Sequence, residues 1–194
     1  MNTQERLIKN LTASIGAKQQ LLADPACIDQ FAAAVQAVVD CYKAGGRIYI
    51  AGNGGSAADA QHLAAEFVSK LARDRAPLAA EALTVDTSIL TAIGNDYGYD
   101  LIFSRQLAGK ASSKDIFLGI TTSGQSPNIL KALEECSKLG IPSIVFCGRG
   151  GGPAKALASH CIVAPGVATS TIQEIHIVLA HTLCESVEVA MFGE

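Results

Sequence analysis

The order of elements in this sequence predicts an α/β fold: five parallel strands joined by helical crossovers and preceded by two helices. Two observations carry that reading. From Arg47 onward short apolar runs alternate with longer segments of helical periodicity, as a parallel sheet with right-handed crossovers requires. The runs end at glycine-rich or hydroxyl-rich turns, where a strand hands over to a helix. A chain of 194 residues can bury a sizeable core. The expected organisation is one domain over 1–194, with a helical pair in 1–44 and an α/β core in 45–194.

Residues 4–22 carry Leu7, Ile8, Leu11, Ile15, Leu21 and Leu22 at helical spacing, and Asp24-Pro25 breaks the run. A second helix, 26–43, is rich in Ala and Val and stops at Gly45-Gly46. Two amphipathic helices ahead of the first strand exceed what one sheet needs, so they are expected to pack on another subunit as well as on their own. The first strand is Arg47–Ala51. Ser56 with Asp59 three residues on matches a capping box, placing the next helix start at Ser56 and its end near Leu71. The second strand is Ala82–Val85, followed by a helix from Asp86-Thr87 through Ile93 and a glycine-bounded polar turn, Gly94–Asp100. The third strand is Asp115–Ile120, with a helix over Pro127–Leu139 behind it. The fourth is Pro142–Cys147 and the fifth Cys161–Ala164, and a last helix covers Thr171–Ala190.

Composition excludes several functions. The formal charge is −3 and no block of Lys or Arg occurs, which argues against duplex nucleic acid as a partner. No uninterrupted apolar run reaches membrane-span length, so no membrane is expected. The N-terminus lacks a basic segment followed by an apolar one, and the expected location is cytoplasmic. Six scattered cysteines without close spacing read as reduced core residues.

Parallel sheets bind ligands beyond the carboxyl ends of their strands, and two such loops are unusual here. After the first strand, Gly52-Asn53-Gly54-Gly55-Ser56 allows close approach to the main chain and ends at a helix N-terminus, which favours an anion. The same segment fits G-x-G-x-x-A, but the acidic residue expected about twenty positions later is missing. Along the helix that follows, Asp59, His62 and Glu66 share a face, and a histidine one turn from a carboxylate suits metal binding or proton transfer. A core histidine is the plainer reading of His62 taken alone. After the third strand, Thr121, Thr122, Ser123 and Ser126 surround Gly124, with Pro127 at the first helical position. A capped turn explains Ser126 and Pro127; the other hydroxyls suit a phosphate monoester. On the last helix Gln173, Ile177 and His181 form a stripe, with His176 rotated away. Gln173 and His181 are ~12 Å apart along the axis, so one ion binds both only if the side chains converge or two copies of the chain contribute. Asn95 and Asp96 lie in the polar turn and serve either the turn or a sugar hydroxyl.

The segments AGNGGSAADAQHLAAE, LTAIGNDYGYD, TTSGQSPN and IQEIHIVLAH together resemble the sugar isomerase (SIS) domain family, over nearly the whole chain. The resemblance implies a three-layer sandwich with a five-stranded parallel sheet, a homotetramer, and active sites shared at subunit interfaces. It implies an aldose–ketose isomerase that converts the sugar phosphate sedoheptulose 7-phosphate through a cis-enediol, with Glu66 and His181 catalytic. It implies one Zn2+ per subunit on His62, Glu66, Gln173 and His181. Substrate contacts carry over to Asn53, Gly54, Gly55, Ser56, Asn95, Asp96, Thr121, Thr122, Ser123, Ser126 and Gln173. The family pattern has an acidic residue just before the Ile-Gln pair, whereas this chain has Val167-Ala168-Thr169-Ser170-Thr171. Two rival functions share the fold: a non-catalytic protein that binds a replication initiator, which lacks a glutamate matching Glu66, and a sugar-phosphate sensing module, normally fused to a DNA-binding domain.

Overall fold

Successive residues of a strand point to opposite faces of a sheet, and here both faces are covered, so the central strands are apolar throughout. Ile48 and Ile50 enter one core while Tyr49 and Ala51 enter the other; Leu118 and Phe117, and Phe146 and Val145, divide in the same way. The computed structural model describes residues 1–193. Its elements are α1 (Thr3–Leu22), α2 (Pro25–Lys43), β1 (Ile48–Gly52), α3 (Gly55–Val68), β2 (Ala80–Ala82), α4 (Thr87–Tyr97), a 3-10 turn (Tyr99–Leu101), α5 (Ser104–Lys110), β3 (Ile116–Thr121), α6 (Pro127–Leu139), β4 (Ser143–Cys147), α7 (Ala154–Leu157), β5 (His160–Val163) and α8 (Thr169–Phe192). The strands lie in the order β2-β1-β3-β4-β5, all parallel, which makes the expected five-stranded sheet.

The two cores give three layers. Helices α2, α3 and α8 cover one face, with Val38, Leu63, Phe67, Ile175, Leu183 and Val187 against the sheet. Helices α5 and α6 cover the other with Leu107, Ile129 and Leu133, joined by Leu90 and Ile93 of α4. The side changes between β1 and β3, because β1 leads into α3 and β3 into α6. The two unusual loops therefore flank the switch point of the sheet, where α/β proteins bind ligands. Helix α8 is long and apolar enough by composition to cross a bilayer, but one side of it, with Ile172, Ile175, Leu179, Leu183 and Val187, is buried in the core.

Helix α1 differs from the rest. It buries only Ser14 and Ala17, while Leu7, Ile8, Leu11, Ile15 and Leu22 are each more than half exposed. Ser14 donates to Glu174 on α8, with Lys18 3.5 Å from the same carboxylate, and this tethers a helix whose apolar side faces away from its own sheet.

Four local expectations need correction. The second strand is not Ala82–Val85: the ladder covers Ala80–Ala82 and ends with Leu83 N–H donating to the Ile50 carbonyl at 2.9 Å. Thr84 then bonds Gln61 and the Ala57 carbonyl, leaving Val85 exposed. Helix α3 starts at Gly55, not at Ser56 with a capping box. Its N-cap is Gly54 at φ 57°, ψ −120°, and no side chain caps it. Gly94–Tyr97 is the last turn of α4, which Gly98 ends at φ 93°. Ser126 is the N-cap of α6 by position but makes no side-chain cap bond. Helices α5 and α7 had no expectation; both are shorter than two and a half turns, too brief for a clear period.

Candidate active site

The glycine turn brings main chain and side chains into close register. A Cβ on Gly52 would stand 2.4 Å from the Ser56 carbonyl oxygen, and one on Gly55 would stand 2.5 Å from Gln173 Nε2. Glycine at these two positions lets β1 turn directly into α3 and lets α8 lay Gln173 against the start of that helix. Asn53 is held by amides and a phenol: its Nδ2 donates to Asn128 Oδ1 at 2.9 Å, Asn128 Nδ2 donates back to Asn53 Oδ1 at 2.8 Å, and Tyr99 Oη donates to the same oxygen at 3.1 Å. The buried Asn128 sits in the first turn of α6, so this pair ties the two ligand-facing helix starts together.

Across the switch point the hydroxyl loop is also internally bonded. Thr121 Oγ1 lies 2.9 Å from Ser126 Oγ and 3.5 Å from Ser123 Oγ, and Ser123 Oγ accepts from the Gln125 N–H at 3.1 Å. Gly124, at φ 66°, packs on the β4 loop so closely that a Cβ would meet the Gly151 carbonyl at 2.0 Å. The Asn53–Asn128 pair thus brings the hydroxyl loop and the starts of α3 and α6 to one mouth, where the helix dipoles suit a phosphate.

The acid–base group lies further along α3. His62 Nε2 and His181 Nε2 are 2.9 Å apart with their rings edge to face, and Glu66 Oε1 is 3.5 Å from the same His62 nitrogen. The Glu66 side chain is 18% exposed against 46% for His62, so the carboxylate sits deeper. Burial raises the pKa of Asp59, and His62 acts in the opposite sense. His176 is buried, and its Nε2 donates to the Cys147 carbonyl at 3.0 Å; it is rotated away from this group as its spacing predicts.

Helices α3 and α8 run side by side in the same direction. Gln173 meets Gly55, His181 meets His62, and Glu188 accepts from the Leu71 N–H at 3.1 Å. The expected four-ligand set is therefore divided within one chain: His62, Glu66 and His181 form one group, while Gln173 lies at the glycine turn. Among the described residues no three His, Cys, Asp or Glu side chains form a metal cage as they stand. The donor types nevertheless fit zinc, and the two imidazole nitrogens that a cation would occupy already face one another. Asn95 and Asp96 are exposed, and Asn95 Nδ2 donates to Asp96 Oδ1 at 2.8 Å. Arg149, non-glycine at φ 51°, bonds Thr169 at 3.1 Å in the segment where the family pattern is acidic. Sequence reasoning singled out neither Asn128, Tyr99 nor Arg149. The signal for Asn128 was its place directly after Ser126-Pro127.

Comparison with known proteins finds relatives over nearly the whole chain. Residues 19–148 match the model of the SIS domain. Phosphoheptose isomerase 2 of Campylobacter jejuni is 50% identical over 93% of this chain and 90% of its own length. Phosphoheptose isomerase of Aneurinibacillus thermoaerophilus is 48% identical over 94% and 92%. The solved phosphoheptose isomerase of Neisseria gonorrhoeae superposes with a TM-score of 0.89 at 39% identity, covering 96% of this chain and 99% of that one. The chain belongs to the SIS domain family, on the branch that holds the phosphoheptose isomerases.

Proposed function

We propose that the protein is a phosphoheptose isomerase, an enzyme that converts sedoheptulose 7-phosphate to D-glycero-D-manno-heptose 7-phosphate in heptose biosynthesis. The observation that carries the reading is the pairing of an anion cradle at the switch point, where α3 begins, with the His62–Glu66–His181 group further along α3 and on α8. The cradle, Asn53 to Ser56 with Thr121, Thr122, Ser123 and Ser126, holds the phosphate, and Gln173 at the turn contacts the sugar. Glu66 removes the C1 proton of the ketose and returns it to C2 of the cis-enediol, while His181 moves the proton between the C1 and C2 oxygens. His62, Glu66 and His181 would hold one Zn2+ per subunit, which would supply polarisation of the carbonyl. Gln173 would complete the ligand set, and the open apolar side of α1 supports a homotetramer whose sites lie at subunit interfaces. The domain is a single unit with α1 as its assembly element, and it works in the cytoplasm. Glu66 distinguishes this reading from that of a non-catalytic relative.

Glu66→Gln is expected to lower kcat by about 10²–10⁴-fold with the fold and assembly unchanged. An assay offering sedoheptulose 7-phosphate against fructose 6-phosphate measures it. Turnover near that of the parent chain would remove Glu66 from the chemistry, and equal use of the two ketoses would remove the heptose assignment. Elemental analysis, with activity before and after chelation, tests the zinc.

A further inference from the structure

Beyond the end of α3 the chain folds back and buries an ion pair that the proposed chemistry does not use. The side chains of Arg75 and Glu188 are each 1% exposed, with Nη2 and Oε1 2.8 Å apart and Nε donating to the same oxygen at 2.9 Å. Glu188 also accepts from the Leu71 N–H at 3.1 Å and the Ala72 N–H at 3.4 Å. The guanidinium is shared with the helix that carries the base: Nη2 donates to the Glu66 carbonyl at 2.8 Å, and Nη1 to the Phe67 carbonyl at 2.7 Å. Further Nη1 bonds reach Ser69 and Ala76.

The last carbonyls of a helix have no partner within it, and a cation there also complements the helix dipole. Arg75 supplies both for α3, and through Glu188 it fixes that end of α3 to α8. Burying two charges is expensive, and apolar replacements are often equally stable or more so, so stability alone is a weak reason for the pair. What the pair determines is the register of the two helices. Glu66 stands on one side of that junction, and His181 lies two turns before Glu188 on the other. We propose that Arg75 and Glu188 are positioning residues that hold the Glu66 carboxylate and the His181 ring in reacting alignment. This rests on the assignment of Glu66 and His181 to the isomerisation.

The test is steady-state kinetics on sedoheptulose 7-phosphate with the full chain, using Arg75→Met/Glu188→Leu, Glu188→Gln, Arg75→Lys and Glu66→Gln. The cradle lies at the opposite end of α3, so KM is expected to stay within about twofold while kcat of the double variant falls about tenfold to hundredfold, as small misplacements of reacting groups do. Arg75→Lys, which keeps the charge but loses the fork, is expected to fall between the double variant and the parent. A folded double variant whose kcat matches the parent overturns the inference while leaving the functional reading in place. If the double variant does not fold, Glu188→Gln, equal in shape, carries the same test: a lower kcat at constant KM supports positioning, and an unchanged kcat overturns it. A parent chain that does not turn over the ketose, or a fully active Glu66→Gln, overturns the functional reading and this inference with it.

Discussion

The side-chain amides of Asn53 and Asn128 exchange two hydrogen bonds across the crevice between the β1 and β3 loops, and this places the mouth of the site under the control of a single buried side chain. Truncating Asn128 leaves Asn53 with Tyr99 alone and frees one loop from the other. Asn128→Ala is expected to cost about 1–3 kcal/mol of stability and to raise KM for the sugar phosphate several-fold, seen in urea denaturation and in steady-state kinetics. Asn53 was legible from sequence because it sits inside a glycine turn, where few residue types have a packing reason to be. Asn128 was not, because an asparagine in the first turn of a helix reads as an ordinary start. Its partner is 75 residues away, and only the sheet order brings the two together. His62, Glu66 and His181 were legible for the opposite reason: polar groups on largely apolar helices need partners, and α3 held two of the three and α8 the third. The level at which Gln173 sits depends on how α8 lies against α3, which neither helix's own period encodes.

Helix α3 is the element on which the site depends, and the glycines of the turn that leads into it separate close approach from mere flexibility. At Gly55 the obstructing atom is the flexible end of Gln173, whereas at Gly52 it is the Ser56 backbone. Gly55→Ala is therefore expected to fold with little loss of melting temperature while KM rises as Gln173 is displaced. Gly52→Ala is expected to destabilise strongly, by about 1–3 kcal/mol for overpacking. Thermal melts alongside kinetics separate the two; equal melting losses would contradict the distinction. The start of α3 was misjudged because Ser56 and Asp59 imitate a capping box, whereas the turn uses a glycine conformation at Gly54 that serine and aspartate rarely adopt. The shift of β2 has a similar origin. At a sheet edge with one partner strand, the Thr84 side chain competes for the backbone of α3, and an alternating apolar pattern continues past the last ladder bond.

For the whole molecule, two buried groups give the stability a pH dependence with a definite sign. Burial lowers the pKa of His176 from 6.5, the Cys147 carbonyl bond opposing it, and partly buried His160 is lowered by burial as well. For Glu188 burial is the largest influence and pushes upward, but the Leu71 and Ala72 N–H groups and Arg75 together hold its pKa below 4.5. In both cases the unfolded chain takes up the proton first, so the stabilising contribution is complete above the unfolded value and is lost as pH falls below it. Urea midpoints are expected to decline from about pH 6.5 and again below about 4.5, and Glu188→Gln should flatten the second step. A midpoint unchanged between pH 7.5 and 3.5 would contradict this. The exposed stripe on α1 makes a further prediction: if the chain forms the proposed homotetramer, Leu11→Lys with Ile15→Lys should reduce its mass at least twofold in sedimentation, with the α/β core still folded. The general α/β architecture followed from the sequence because a parallel sheet covered on both faces leaves long apolar runs between glycine turns. The parallel alignment of α3 and α8 has a consequence for which sugars fit. Six residues separate Ser56 at the cradle from His62, about 9 Å along the axis, and the Glu66 side chain leans back toward the level of His62 because helical side chains tilt toward the N-terminus. On the proposed chemistry that interval is a ruler. An extended seven-carbon chain anchored by its phosphate brings C1 and C2 to the carboxylate, and a six-carbon ketose phosphate anchored in the same cradle stops one carbon short.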